Sequence, residues 1–403
     1  MQKWLSVVGI GEDGLAGLSA TARSLVKRAE VIVGGERHLA MLLANGPQVS
    51  QEKLVWSSPI ATSIDQILQR RGQSVCVLAS GDPMWFGIGV TLTRAIPLSE
   101  MIIIPAPSSF SLACARLGWA LTEVETLSLC GRPLALIQAA LYPGARLLIL
   151  SEGKQTPSLV AKILTECGYG SSTVKVLEYL GGEREKIIEG TAASWPVMDA
   201  ADLNTIAVEC LADPGITPLA GRTGLPDSAY HHDGQLTKQE VRALTLAALA
   251  PLPGQLLWDV GAGCGSVAIE WMRSHSRCRA IAIEKSRTHY IVDNATALGT
   301  PNLQIIEGIA PIALKDLPAP NAIFIGGGVT TEGVLETCWA ALRSGGRLVA
   351  NVVTLQGEQK LFEWHQRVGG TLTRIGIQRA EPLGSFLAWK LMAPVTQWVV
   401  LKP

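Results

Sequence analysis

Twice in this chain of 403 residues an apolar run ends in a cluster of glycines that opens onto a helix-like segment. Near the start, Trp4 to Val8 leads into Gly9-Ile10-Gly11-Glu12-Asp13-Gly14. Past the middle, Leu256-Leu257-Trp258-Asp259-Val260 leads into Gly261-Ala262-Gly263-Cys264-Gly265 and then into Val267 to Arg273. Glycine turns of this kind let a backbone bend tightly and approach a ligand at the start of a helix. Between and beyond them, strand-like runs such as Val31 to Val33, Val75 to Ala79, Met101 to Ile104 and Arg146 to Leu150 alternate with helix-like runs. Ala22 to Ala29 and Ser158 to Cys167 are two of the latter. That alternation predicts an α/β protein with parallel sheets and crossover helices. No short repeat and no low-complexity tract interrupts it.

At about 150 residues per domain the length suits two or three domains. The stretch Ala212 to Gln235, ADPGITPLAGRTGLPDSAYHHDGQ, is rich in Pro, Gly and Asp and has no apolar period. We expect one domain over 1–212, a linker over 213–234 and a second domain over 235–403. Thr237 is expected to open the helix TKQEVRALTLAALA, with Glu240 completing a capping box. Within the first domain, a division into two subdomains is expected near Tyr142 to Ala145.

Lys plus Arg and Asp plus Glu number 34 each, so net charge is zero and there is no general pull on nucleic acid or an anionic membrane. Apolar residues make up 48%, enough for buried cores. No apolar run approaches the roughly 20 residues that cross a bilayer. The start, Met1-Gln2-Lys3-Trp4, shows no signal-peptide cleavage pattern, and a soluble cytoplasmic protein is expected. The eight cysteines lie at least 14 residues apart, which excludes a CxxC pair and predicts free, mostly buried thiols. His231-His232-Asp233 reads as polar linker, and no metal site is expected.

The second glycine loop has two readings as a cofactor site. After it, Ala280-Ile281-Ala282-Ile283 forms a strand ending in Glu284, 19 residues past Gly265, where a carboxylate can grip a ribose. The dinucleotide fingerprint G-x-G-x-x-G would need a glycine at Ser266. The spelling D-x-G-x-G-x-G instead resembles motif I of class I S-adenosylmethionine methyltransferases. Further strands at Leu303 to Ile306, Asn321 to Ile325 and Arg347 to Val352, and an antiparallel pair from Thr371 to Ile377 and Phe386 to Leu401, suit that family's Rossmann-like fold with a seven-stranded sheet. Leu236-Thr237-Lys238-Gln239-Glu240-Val241-Arg242, the segment Glu307-Gly308-Ile309-Ala310-Pro311 and the triple glycine Gly326-Gly327-Gly328 resemble its CbiT-type precorrin methyltransferases. The resemblance implies that Thr237, Gly261, Ala262, Gly263, Cys264, Gly265, Glu284 and Ala310 contact S-adenosylmethionine. Thr237 as a plain helix cap and Ala310 as helix-start packing remain open.

The first glycine cluster does fit G-x-G-x-x-G, with Glu36 following the next strand, and alone it would read as a nicotinamide site. Three further segments point elsewhere. They are Ala79-Ser80-Gly81-Asp82-Pro83-Met84-Trp85-Phe86-Gly87, Pro105-Ala106-Pro107-Ser108-Ser109-Phe110 and Leu127-Ser128-Leu129-Cys130-Gly131-Arg132. With the start they resemble the class III, or tetrapyrrole, methylase family, whose fold is two α/β subdomains. Val176-Leu177-Glu178-Tyr179-Leu180-Gly181-Gly182 and Glu185 resemble its CbiE-type branch. The resemblance implies cofactor contacts at Ile10, Gly81, Asp82, Ser109, Phe110, Leu150 and Leu180, and tetrapyrrole against Gly9 and Gly11. Glu12 stands where that family often has proline, and Cys130 where histidine is common. Gly-Asp-Pro as an ordinary turn is the competing reading of residues 81–83.

A CbiE-like domain followed by a CbiT-like one is the order of the CobL-type bifunctional methyltransferases of cobalamin biosynthesis. The resemblance implies one S-adenosylmethionine per domain and methyl transfer to carbons 5 and 15 of a corrin precursor. It also implies decarboxylation of the ring C acetate to give precorrin-8x. The first domain would serve carbon 5, the second carbon 15 and the decarboxylation. The substrate's carboxylates suit arginine forks, and Arg37, Arg132, Arg222 and Arg242 stand near the motifs. No acid–base triad is evident, and no catalytic residue is assigned. A homo-oligomer is expected. Two methyltransferases acting on other substrates, and a tetrapyrrole carrier without catalysis, are the alternative readings.

Overall fold

The computed structural model describes residues 3–43, 51–196, 199–216, 218–219 and 223–403. The chain forms two compact units, one of Met1–Arg132 with Pro143–Ile216, the other of Pro133–Tyr142 with Thr217–Pro403.

The first unit opens with β1 (Leu5–Ile10), α1 (Ala20–Arg28), β2 (Val31–Gly34), α2 (Glu36–Leu43), β3 (Glu52–Val55), α3 (Ile60–Leu68), β4 (Val75–Ser80), α4 (Ile88–Ala95) and β5 (Met101–Ile104). The five strands form a parallel sheet in the order β3-β2-β4-β1-β5. Its inner strands β1, β2 and β4 read as nearly continuous apolar runs because both faces are covered, whereas the edge strand β3 is largely exposed. Leu5, Val7, Val75 and Val77 enter one core, and Val8, Ile10, Cys76 and Leu78 the other.

Next come α5 (Ser109–Leu117), β6 (Glu125–Ser128), β7 (Arg146–Leu150), α6 (Thr156–Glu166), β8 (Thr173–Glu178), β9 (Lys186–Thr191) and β10 (Asn204–Glu209). A second sheet runs β6-β7-β10-β8-β9, parallel only between β6 and β7. The division of this unit therefore falls before β6, not at 142–145 as expected. The reason is α5, whose Phe110, Ala113 and Cys114 already pack on Leu148 of β7 and Ala207 of β10.

The second unit continues with α7 (Gln239–Leu249), β11 (Leu256–Val260), α8 (Ser266–Ser274), β12 (Arg279–Glu284), α9 (Thr288–Ala297), β13 (Gln304–Glu307), β14 (Ala322–Ile325), α10 (Val334–Ala341), β15 (Arg347–Val352) and α11 (Leu355–Val368). Four strands complete it: β16 (Thr371–Ile375), β17 (Gln378–Leu383), β18 (Phe386–Leu391) and β19 (Val395–Leu401). Seven of these strands make one sheet, β13-β12-β11-β14-β15-β19-β16, parallel except along β19. Pleating sends Leu257, Ala280 and Ala282 to one core and Trp258, Val260, Ile281 and Ile283 to the other. The expected terminal pair is β16 with β19. The run 386–401 is broken, however, because β18 pairs with β17 in a separate hairpin. That hairpin leaves Leu383, Phe386, Leu387, Trp389 and Leu391 largely exposed.

The expected linker is not free chain where it is described. Leu225 and Tyr230 lie in the second unit's core, because Glu270 of α8 accepts the Gly224 and Leu225 N–H groups and the Tyr230 hydroxyl. The capping box is also absent. The helix starts at Gln239 with Lys238 as its cap residue, and Glu240 turns to Arg379 on β17 at 2.6 Å. No helix among the described residues is long and apolar enough to cross a membrane.

Candidate active sites in the two units

In the second unit a cavity of about 990 Å³ opens at the carboxyl ends of β11, β12, β14 and β15. Beside β11 the strand order reverses direction, which is where open α/β sheets take their ligands. Gly261 turns with φ +70°, and a Cβ there would meet the Gly327 backbone at 2.8 Å. Gly263 also turns with positive φ, but a Cβ there would meet only the Gln235 carbonyl at 3.5 Å. Its N–H is received by Glu284 Oε2 at 2.9 Å, and Glu284 Oε1 accepts from the Ser286 N–H at 3.2 Å. The nearly buried carboxylate of Glu284 thus clamps the glycine loop and lines the cavity.

Thr237, Gly261, Ala262, Gly263, Glu284 and Ala310 line this cavity together. Cys264 and Gly265, also expected as contacts, do not. The Cys264 side chain is wholly buried, its thiol pushed up by burial, and a Cβ on Gly265 would strike Ile291 at 2.8 Å. Arg242 is not a substrate arginine either. It is fully buried, paired with Glu270 at 2.5 Å and Asp227 at 3.3 Å, and it donates to the carbonyls of Leu225 and Thr237. Arg222 lies outside the described residues. Asn351, on the cavity wall, was not singled out from the sequence. It is braced by Thr245 and Gln397 at 2.8 and 3.0 Å, partners 106 and 46 residues away, a spacing that leaves no local pattern.

Asp259, the first residue of motif I, accepts the Ala268 N–H through Oδ2 at 3.0 Å, while its Oδ1 has no hydrogen-bond partner. Burial, and secondarily the Glu284 carboxylate, push Asp259 up to about 7. A carboxyl raised on folding binds its proton more tightly in the folded state. It therefore stabilises at low pH and loses that contribution as pH rises toward the folded value. Stability relative to Asp259→Asn should fall between about pH 4 and pH 7, by an amount on the order of a few kcal/mol. Denaturant midpoints of the two proteins across that range check this; a constant difference would remove it.

In the first unit a cavity of about 570 Å³ is lined by Ile10, Gly11, Arg37, Gly81, Asp82, Ser109, Phe110, Leu150 and Leu180, among others. Asp82 Oδ1 accepts the Met84 N–H at 2.8 Å, so the Gly-Asp-Pro segment is a side-chain-braced turn at the cavity wall. Ser108 caps α5 by accepting the Ser111 N–H at 3.1 Å and so brings Ser109 and Phe110 to the cavity in the first turn. Phe110 forms the floor, edge-on to Trp85 and Phe86 at 6.3 and 6.1 Å.

Two expected substrate contacts fall elsewhere. Gly9 is buried, and a Cβ there would strike the Gly81 carbonyl oxygen at 2.1 Å and Ala106 N at 2.6 Å, so it serves close packing of three segments. Arg132 does not line the cavity; its guanidinium lies 5.0 Å from the centre of the Phe86 ring. Arg37 does line it, in an ion pair with Glu12 and within hydrogen-bond distance of His38 and Ser80. His38 and Ser80 were not singled out from the sequence, since an isolated histidine in a helical run carries no signal.

Comparison with known proteins matches each unit. The family model described as tetrapyrrole (corrin/porphyrin) methylases covers residues 5–196, and that described as precorrin methyltransferase domain covers 228–402. A protein of Sinorhizobium sp. named precorrin-6Y C(5,15)-methyltransferase (decarboxylating) is 49% identical over 98% of this chain and 95% of its own length. One of the same name from Mycobacterium tuberculosis is 44% identical over 98% and 99%. The crystal structure of the C-terminal domain of precorrin-6Y C5,15-methyltransferase from Rhodobacter capsulatus is 46% identical and covers 46% of this chain and all of that one, with a TM-score of 0.43.

Proposed function

The chain belongs to the family of decarboxylating precorrin-6Y C5,15-methyltransferases of cobalamin biosynthesis, and from that premise we propose how its two cavities divide the reaction. The first cavity methylates carbon 5 of the corrin precursor. The second methylates carbon 15 and releases the ring C acetate carboxyl as carbon dioxide, so that precorrin-6B becomes precorrin-8x. Each cavity takes its own S-adenosylmethionine. The observation that carries this reading is a pair of separate cavities, each at a glycine turn beyond a buried parallel strand.

S-adenosylmethionine supplies an already activated sulfonium methyl group, and the protein's task is placement and exclusion of water. In the second unit the positive-φ Gly263 leaves space beside the loop, and Glu284 offers an anionic acceptor for ribose hydroxyls. The wall formed by Val352, Val353, Ile375, Ile377, Met392 and Val395 is apolar and suits the face of a macrocycle. In the first unit Asp82 and the start of α5 hold the donor, and Arg37 is the substrate-facing cation. Decarboxylation places its electrons in the conjugated macrocycle.

The test is mass spectrometry after incubation with precorrin-6B and methyl-labelled S-adenosylmethionine. Two labelled methyl groups and loss of one carbon dioxide are expected. Asp82→Ala should abolish labelling at carbon 5 while carbon 15 and the decarboxylation proceed. Equal loss at both carbons in folded protein would overturn the division of labour.

The protein works as a cytoplasmic homo-oligomer. All eight cysteines are free thiols, which suits a reducing compartment. The exposed apolar hairpin of β17 and β18 is a surface that self-association would cover. Sedimentation of the intact protein at the 42.8 kDa of one chain would remove the oligomer.

A further inference from the structure

Resting on the reading that the first cavity methylates carbon 5, we propose that Ser80 and His38 accept the proton which that methylation releases, Ser80 at the substrate and His38 behind it. When a carbon bearing hydrogen takes a sulfonium methyl group, the C–S bond breaks with its electron pair left on sulfur. The hydrogen must then leave as a proton, so that its bonding pair returns to the macrocycle. Some group in the cavity has to receive it.

The cavity wall offers few candidates. Asp82 is occupied by the Met84 N–H. Glu12 is paired with Arg37. The Cys130 thiol donates to the Ser151 carbonyl at 3.3 Å, and Glu36 stands exposed at the start of α2. Ser80 ends β4 directly before Gly81 and Asp82, exposed toward the cavity. Its Oγ lies 3.1 Å from His38 Nε2. Arg37 Nη2 lies 3.0 Å from that same Nε2 and donates to Ser80 Oγ at 3.0 Å.

A guanidinium has only donors, so Nε2 presents its lone pair and the imidazole hydrogen sits on Nδ1. The Nε2 lone pair is shared between the Arg37 N–H and the Ser80 hydroxyl hydrogen, and Arg37 releases Nε2, keeping Glu12 and Ser80 Oγ, when Nε2 takes the proton. Ser80 Oγ can take a proton from carbon 5 while passing its own to His38, and the resulting imidazolium gives up the proton to water as product leaves. Glu12 offsets the Arg37 charge beside this site. His38 is 7% exposed, with Nδ1 buried and unpartnered. Burial first, and Arg37 second, lower it to about 4, so it is unprotonated and ready at neutral pH. A base that weak suffices, because a methylated cationic macrocycle is a strong carbon acid.

The competing role for both residues is to brace Arg37. Single-turnover methylation of carbon 5, with hydrogen or deuterium on that carbon, separates the two in Ser80→Ala and His38→Gln. We expect formation of the deprotonated, carbon-5-methylated product to slow about 100-fold or more. Deuterium should slow both variants further, because proton removal has become limiting. Carbon-15 methylation and first-site affinity for S-adenosylhomocysteine should be unchanged. An undiminished rate in Ser80→Ala, or a loss without an isotope effect, overturns the proposal. Unaltered protein that places no label on carbon 5 overturns the site assignment itself.

Discussion

Glu270→Ala should destabilise the second unit by about 3–5 kcal/mol, the range for breaking one partner out of a buried ion pair. Glu270 is fully buried and receives four donors: Arg242 Nε at 2.5 Å, Gly224 N–H at 2.7 Å, Tyr230 Oη at 3.0 Å and Leu225 N–H at 3.2 Å. Alanine leaves the Arg242 guanidinium buried with Asp227 as its remaining ion-pair partner among the described residues, and orphans two backbone N–H groups. Each such group costs of the order of 1–3 kcal/mol when left unpaired. Since domains are stable by only about 5–15 kcal/mol, much of the unit's stability is at stake. A denaturant titration that puts the variant within 1 kcal/mol (roughly) of the parent would show that water or rearrangement replaces the network. The double variant Glu270→Leu with Arg242→Met should lose less than the sum of the single losses, because both charges go together.

That network also reaches the cavity. Arg242 holds the Thr237 carbonyl, and Thr237 and Lys238 are wall residues. Arg379 on β17 joins Asp227 and Glu240 to the same group at 3.2 and 2.6 Å. Glu270→Ala should therefore weaken cofactor binding at the second site as well as stability.

Why Arg242 reads as a substrate ligand in sequence, and is not one, follows from this geometry. Its partner Glu270 lies 28 residues away on another helix, and nothing local announces the pairing. The glycine loop is legible for the opposite reason. Its constraints are backbone constraints, written directly into residue type: Gly261 must pass Gly327, and Gly265 must pass Ile291. The same loop shows the limit of a motif, since Cys264 belongs to the spelling but faces the core. The inner strands of both parallel sheets are legible because two covered faces demand continuous apolar runs. The split of the first unit is not, because α5 follows a strand of one sheet and packs on the other. Glu12 follows β1, His38 lies in the first turn of α2 after β2, and Ser80 ends β4, so they meet around Arg37 only after β1, β2 and β4 pair.

Glu284→Ala should weaken cofactor binding in the second unit by at least about tenfold and stop both carbon-15 methylation and decarboxylation. Charged hydrogen bonds are worth roughly 1.5–3 kcal/mol each, and about 1.4 kcal/mol is one decade of affinity, so loss of a single ribose contact already meets that figure. The structure adds a second route to the same loss. Glu284 Oε2 accepts the Gly263 N–H at 2.9 Å, so alanine also frees the loop that must lie against the donor. Glu284→Gln separates the two routes. Its amide oxygen can keep the Gly263 bond, while its NH2 group meets a ribose hydroxyl that can turn to accept. It should therefore retain part of the affinity that alanine loses. Calorimetric titration with S-adenosylhomocysteine reads this directly. The parent should bind two equivalents, Glu284→Ala should show one of them weakened, and the other should be unaltered because it belongs to the first cavity. If Glu284→Ala binds both equivalents as the parent does, the carboxylate only braces a loop and the ribose is held elsewhere.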